Sequence, residues 1–141
     1  MGETLESLEK KRKELYQKLE GVGDFRRGTI SVNYRKCGKK RCACTKAGHR
    51  GHGPQYLWNT TIKGKSYAKN LKLGPELEKY LQETGNYKEF LKLSEQLVQI
   101  NEMICELRPV RQIEDQTELE ALKKKLLEIF RKRFRKRWTE S

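Results

Sequence analysis

From Phe25 to Pro75 the chain has no aspartate and no glutamate, although 19 acidic residues occur among its 141. Metal-dependent phosphodiester chemistry needs carboxylates to hold its ions, and this stretch offers none. Histidine is nearly as scarce. The two present, His49 and His52, sit beside a cysteine cluster, so no Ser-His-Asp arrangement is available. No P-loop and no Gly-rich nucleotide fingerprint appears. Tyr34, Tyr56 and Tyr67 could act as strand-transfer nucleophiles, but tyrosine on an alternating strand serves packing or stacking far more often. An enzyme is therefore not expected. Long hydrophobic runs are missing too: nothing approaches the roughly 18 apolar residues of a membrane span. The acidic start Met1-Gly2-Glu3 also lacks a signal-peptide pattern. These absences predict a cytoplasmic protein with no integral membrane association. Leu, Ile, Val and Phe number only 31, little above the level at which chains stay disordered, so the core must be thin.

What is abundant is positive charge, and it is segregated. The net charge is +13. Residues 25–75 alone supply thirteen bases against no acid, residues 131–141 supply six against one, and the remainder of the chain is slightly acidic. Charge gathered in this way points to a polyanion-binding surface rather than to a merely soluble one.

The pattern of apolar residues predicts an α+β fold: a small three-stranded antiparallel sheet with a Cys-rich, zinc-binding loop, flanked by long α-helices. Three segments follow from it. Residues 1–24 form an N-terminal amphipathic helix, 25–75 a basic Cys-rich head, and 76–141 a helical region with a basic tip. Leu5, Leu8, Leu15 and Leu19 make a short heptad seam interrupted by Arg12, ended by Gly21 and Gly23. Such a seam needs a partner: a second copy in a homo-oligomer, a helical protein, or the later helices. Thr29 to Tyr34 alternates as a strand. Gln55–Ile62 and Ser66–Leu73 read as a hairpin about Lys63-Gly64, with Tyr67 opposite Thr60, Lys69 opposite Trp58 and Leu71 opposite Tyr56. Pro75 begins a helix, weakened at Thr84-Gly85-Asn86, whose stripe from Phe90 to Leu107 continues to Pro109. Cys105 on that stripe is expected to be a buried small hydrophobe. Thr117 to Glu120 reads as a capping box for a last helix with Leu119, Leu122, Leu126, Phe130, Phe134 and Trp138 on one face.

Of four cysteines, three lie within Cys37-Gly38-Lys39-Lys40-Arg41-Cys42-Ala43-Cys44. Crowding of that kind does not make a disulfide framework and reads first as a metal site. Three thiolates and one imidazole complete a closed tetrahedral zinc centre, which would be structural, one per chain. The predicted ligands are Cys37, Cys42, Cys44 and His52, with His49 as the runner-up for the fourth. Gly38 lets the chain turn behind the first ligand. Nearby cations favour the thiolates, and a loop without hydrophobic content needs a metal to fold around. Three reduced thiols in a flexible loop, a redox switch, or a disulfide from Cys37 are the alternatives.

Tyr34, Lys36 to Lys39, Cys42, Cys44, His52-Gly53-Pro54, Tyr56-Leu57 and Gly64-Lys65 together resemble the motif of a family of small, uncharacterised bacterial and archaeal proteins. Those proteins have a Cys-rich head and a helical tail. The resemblance covers about residues 28–107, leaving the first helix and the basic tip outside, and it implies no activity. The chemistry of the residues therefore carries the expectation: a nucleic-acid-binding accessory protein. Arg35, Lys36, Lys39, Lys40, Arg41 and Arg50, with Arg131, Arg133, Arg135 and Arg137 of the tip, would contact phosphates. Tyr56, Trp58 and Tyr67 would support the sheet or stack on bases. DNA is slightly favoured over RNA. The competing expectation is a protein-interaction subunit of a larger, mobile-element complex, working through its helices. A basic amphipathic helix lying on a membrane surface through residues 117–138 is a third.

Overall fold

The element order is α1 (Leu5–Glu20), β1 (Thr29–Arg35), a short 3-10 turn (Ala43–Thr45), β2 (His52–Ile62), β3 (Lys65–Leu71), α2 (Pro75–Leu107) and α3 (Gln116–Thr139). The computed structural model describes residues 2–139, and their side chains as far as Arg135. The chain falls into two units, Met1–Leu107 and Arg108–Ser141. The first helix, the sheet and α2 thus belong to one unit, and α3 belongs to the other.

The sheet has the order β1-β2-β3, antiparallel throughout. Its hairpin turn is Lys63-Gly64, at φ 51 and φ 80, the left-handed pair that a two-residue connection requires. That turn fixes the register expected from alternation: Thr60 opposite Tyr67, Trp58 opposite Lys69, Tyr56 opposite Leu71. On one face Leu71 packs with Leu77 and Tyr80 of α2, and Ile30, Tyr56 and Trp58 close around them. Trp58 meets Tyr80 edge-on at 5.6 Å and its indole N–H donates to the Arg27 carbonyl at 2.9 Å. Two of the three candidate stacking aromatics are therefore core, while Tyr67 remains 47% exposed. Gly28 has to be glycine here: at φ +120, an added Cβ would stand 2.4 Å from Trp58 Nε1 and 2.6 Å from the Asn59 carbonyl oxygen.

α1 is capped by Thr4, whose hydroxyl accepts from Ser7 N–H at 3.1 Å. It packs antiparallel along α2, burying Leu8 and Leu15 on one helix and Leu93 and Ile104 on the other. The heptad seam is thus occupied within the chain. Arg12, the polar interruption, is matched by Asn101, whose Oδ1 accepts from the guanidinium at 3.1 Å. Between α1 and β1, Phe25 stacks on Phe90 at 4.7 Å. Arg26 lies over Tyr80 at 3.8 Å and pairs with buried Glu83 at 2.8 Å.

Three local expectations give way. α2 runs unbroken through Thr84-Gly85-Asn86: the Thr84 hydroxyl bonds back within the helix to the Tyr80 carbonyl at 2.8 Å, and a tertiary contact, Asn86 donating to the Asp24 carbonyl at 2.8 Å, outweighs weak propensity. Cys105 is exposed rather than buried, since its neighbour Ile104 takes the inward position. The cap of α3 is Asp115, whose carboxylate accepts from Thr117 N–H at 2.9 Å. The Thr117 capping box is displaced by this nearer acceptor. α3 carries Leu126, Leu127, Ile129, Phe130 and Phe134 as exposed apolar side chains. No helix among the described residues is long and apolar enough to cross a membrane.

Candidate metal centre and basic loop

The residues between β1 and β2 have almost no apolar side chains, and short backbone turns shape them. Cys42 N–H donates to the Lys39 carbonyl at 3.2 Å, Thr45 N–H to Cys42 at 3.1 Å and His49 N–H to Lys46 at 3.1 Å. Gly38 sits at φ 80 just after the first cysteine. β1 ends at Arg35, opposite His52, with a register irregularity after Asn33. The sheet therefore delivers His52 to the base of the loop as the first residue of β2.

Within this frame the side chains of Cys37, Cys42, Cys44 and His52 converge: one ligand atom from each lies within 4.8 Å of all the others. Cys37 Sγ is 3.6 Å from Cys44 Sγ, and Cys42 Sγ is 3.1 Å from His52 Nε2. A tetrahedral zinc with bonds of about 2.0–2.3 Å has edges of about 3.5–3.8 Å, so the donors stand close to the spacing a metal needs. His49, the other candidate, turns elsewhere: its Nδ1 accepts from Gly51 N–H at 2.9 Å.

Two of the three thiols are already biased toward ligation. Cys37 is held below the ordinary thiol value by the Lys39 backbone N–H, then by His52. Cys42 is lowered by the backbone N–H of Cys44 and by the thiols of Cys44 and Cys37. Cys44 is fully buried. A backbone hydrogen bond with Cys37 pulls it down, but burial and the neighbouring thiols raise it overall. A cation at the centre would remove that opposition by taking all three as thiolates.

Arg35, Lys36, Lys39, Lys40, Arg41, Lys46 and Arg50 flank and separate the ligands along the chain, all exposed. Arg50 lies 5.8 Å from the ring of Tyr34, within cation–π range. Two other bases of the head are engaged in the core: Arg26 with Glu83, and Lys69, whose Nζ donates to Tyr80 OH at 3.2 Å. In the separate C-terminal unit, Arg131, Arg133 and Arg135 are exposed along α3, with Arg133 5.8 Å from the Phe130 ring. The side chains of Arg137 and Trp138 lie outside the described residues.

Residues 5–83 match a family described as a domain of unknown function, DUF6788. The chain belongs to that family. The DUF6788 region takes in α1, which a resemblance limited to 28–107 leaves outside, and it ends at Glu83 rather than at the close of α2. Its last residue is the partner of Arg26, so the region spans the ion pair that ties the α1–β1 connection to α2. No curated protein and no solved structure matches the chain.

Proposed function

We propose that this DUF6788 protein is a nucleic-acid-binding accessory protein, cytoplasmic and without an activity of its own. In this proposal one structural zinc ion per chain holds its basic head in shape. The observation that carries it is the pairing of a compact thiol–imidazole cluster with seven exposed cations and no carboxylate in the same segment. Zinc is favoured because soft thiolates select it over magnesium or calcium, and four protein donors leave no open position for catalysis. Three thiolates on one Zn²⁺ leave a net negative charge, which Lys36, Lys39 and Arg41 beside the ligands offset. The remaining field faces outward, where phosphates would meet it.

The affinity of the full chain for a random-sequence DNA duplex, measured by fluorescence anisotropy over a range of salt, tests this. If about six cations each neutralise one phosphate, log affinity against log salt slopes near −5. Saturable binding with that steepness is expected; an affinity indifferent to salt refutes it. A second role rests on α3, whose exposed Leu127, Phe130 and Phe134 offer a surface to a helical protein partner or to a second copy. A pull-down repeated with nuclease separates the two: a partner held by protein contacts survives the treatment.

A further inference from the structure

The sheet has a second face, opposite the one that packs on α2. It is built by Thr29, Ser31 and Asn33 of β1, by Gln55, Leu57, Asn59 and Thr61 of β2, and by Ser66, Ala68 and Asn70 of β3, which the strand register sets side by side. None of these ten residues is buried and none is charged. In a chain that is 36% charged, a solvated face of ten positions would carry about four charged side chains. Four of the ten are carboxamides instead: Asn33, Gln55, Asn59 and Asn70. Asn59 is held in place by donating to the Ser31 hydroxyl at 2.9 Å.

The cations stand at the two ends of this face. Arg27 and the Lys63 turn lie at one end; Arg35 and the Cys-rich loop lie at the other. Positive ends around an uncharged middle, polar except at Leu57 and Ala68, match the two kinds of contact that duplex DNA offers, phosphates to position and base edges to specify. A major groove about 12 Å wide admits a two-stranded ribbon, so either hairpin edge of this sheet can enter it with strands about 4.8 Å apart. A single strand is a poor fit, because it needs aromatic platforms for its bases and this face has none; Tyr56 and Trp58 point to the core. Duplex RNA is a poor fit too, because its deep, narrow major groove keeps side chains from the base edges.

We infer that the uncharged sheet face reads base edges in the major groove of duplex DNA, with its carboxamides directed to adenines. This inference rests on the nucleic-acid-binding proposal above and goes further, from affinity to sequence preference. Asn and Gln bond adenine N6 and N7 in pairs, which no phosphate contact can imitate.

The test is selection of the full chain against a random-sequence duplex DNA library, followed by titration of three probes. These are the enriched duplex, a scrambled duplex of the same composition, and the single strand of the enriched duplex. An A·T-containing motif is expected, bound at least about tenfold more tightly than the scrambled duplex. The triple variant Asn33→Ala, Gln55→Ala, Asn70→Ala should erase that ratio while changing scrambled-duplex affinity by no more than about twofold. The near-isosteric pair Gln55→Glu, Asn70→Asp keeps the shape and adds two negative charges, and should weaken both duplexes by more than about tenfold. The inference is overturned if no motif is enriched, if the motif preference survives both variants, or if the single strand binds more tightly than the duplex. In each of those cases salt-steep binding that needs Lys39, Lys40 and Arg41 still stands. Absence of binding to every probe at low salt defeats both proposals together.

Discussion

Removing the metal is the perturbation whose size follows most directly from the fold. A cation held by Cys37 and His52 ties the end of β1 to the start of β2 and closes a loop of roughly sixteen residues, worth about 3 kcal/mol as a cross-link of the unfolded chain. Almost no apolar contact inside the loop compensates when that link is lost, since Cys44 is its one buried residue. For a unit of about 100 residues each kcal/mol moves the Tm by about 4 °C, so a strong chelator should lower it by about 12 °C. The melt is best followed by near-ultraviolet circular dichroism, which reports Trp58 and the tyrosines of the head. Far-ultraviolet signal at low temperature should persist, because α1, α2 and α3 lie outside the loop. Cys42→Ser should reproduce the loss without chelator. A melt that does not move with chelator, in protein holding less than about a tenth of an equivalent of zinc, would refute the loop-closure reasoning and the metal together.

Other predictions concern the body that carries the head. Leu8→Ala, at a side chain with no exposure, should cost about 2–3 kcal/mol in a denaturant melt, the low end for leucine because a two-helix layer can collapse around the gap. Glu83 is held below its ordinary value of 4.5, by Lys79 first and then by Arg26. Its contribution is therefore complete above that value and is lost as the pH falls through the lower, folded one. Glu83→Gln should flatten the acid limb of stability against pH and lower the plateau above it; an unchanged acid limb would show the Arg26–Glu83 pair to be idle. Gly28→Ala should disturb the Trp58 near-ultraviolet band, because the added methyl falls inside the contact distance of the indole; an unaltered band contradicts that packing.

Strand alternation and the Lys63-Gly64 turn make the hairpin and its register legible in the sequence, because both are local signals. The metal ligands are legible by type and crowding, but the choice between His49 and His52 is not. Three residues apart on a loop, they differ only in that sheet pairing opposite Arg35 fixes one of them beside Cys42. Long-range partnerships are hidden for the same reason. Arg26 reads as one more cation of a basic segment until Glu83, far along the chain, is folded against it. The unbroken α2 is equally out of reach, since Asn86 is a weak helix former whose compensation comes from the distant Asp24 carbonyl. The amide-rich sheet face is present in the alternation, yet it stands out only because α2 covers the other face.

The most direct test of the basic, metal-held head is the salt dependence of duplex binding in three proteins: the full chain, Lys39→Ser/Lys40→Ser/Arg41→Ser, and a chain lacking residues 131–141. If the loop holds the phosphates, the triple substitution flattens the slope of log affinity against log salt by up to about three units, and weakens all sequences alike. Deleting the tip then removes only its own smaller share. The contrary result is an isotherm unchanged by the triple substitution and abolished by the deletion. Binding would then belong to a cationic helix, and the Cys-rich head would serve a protein partner instead.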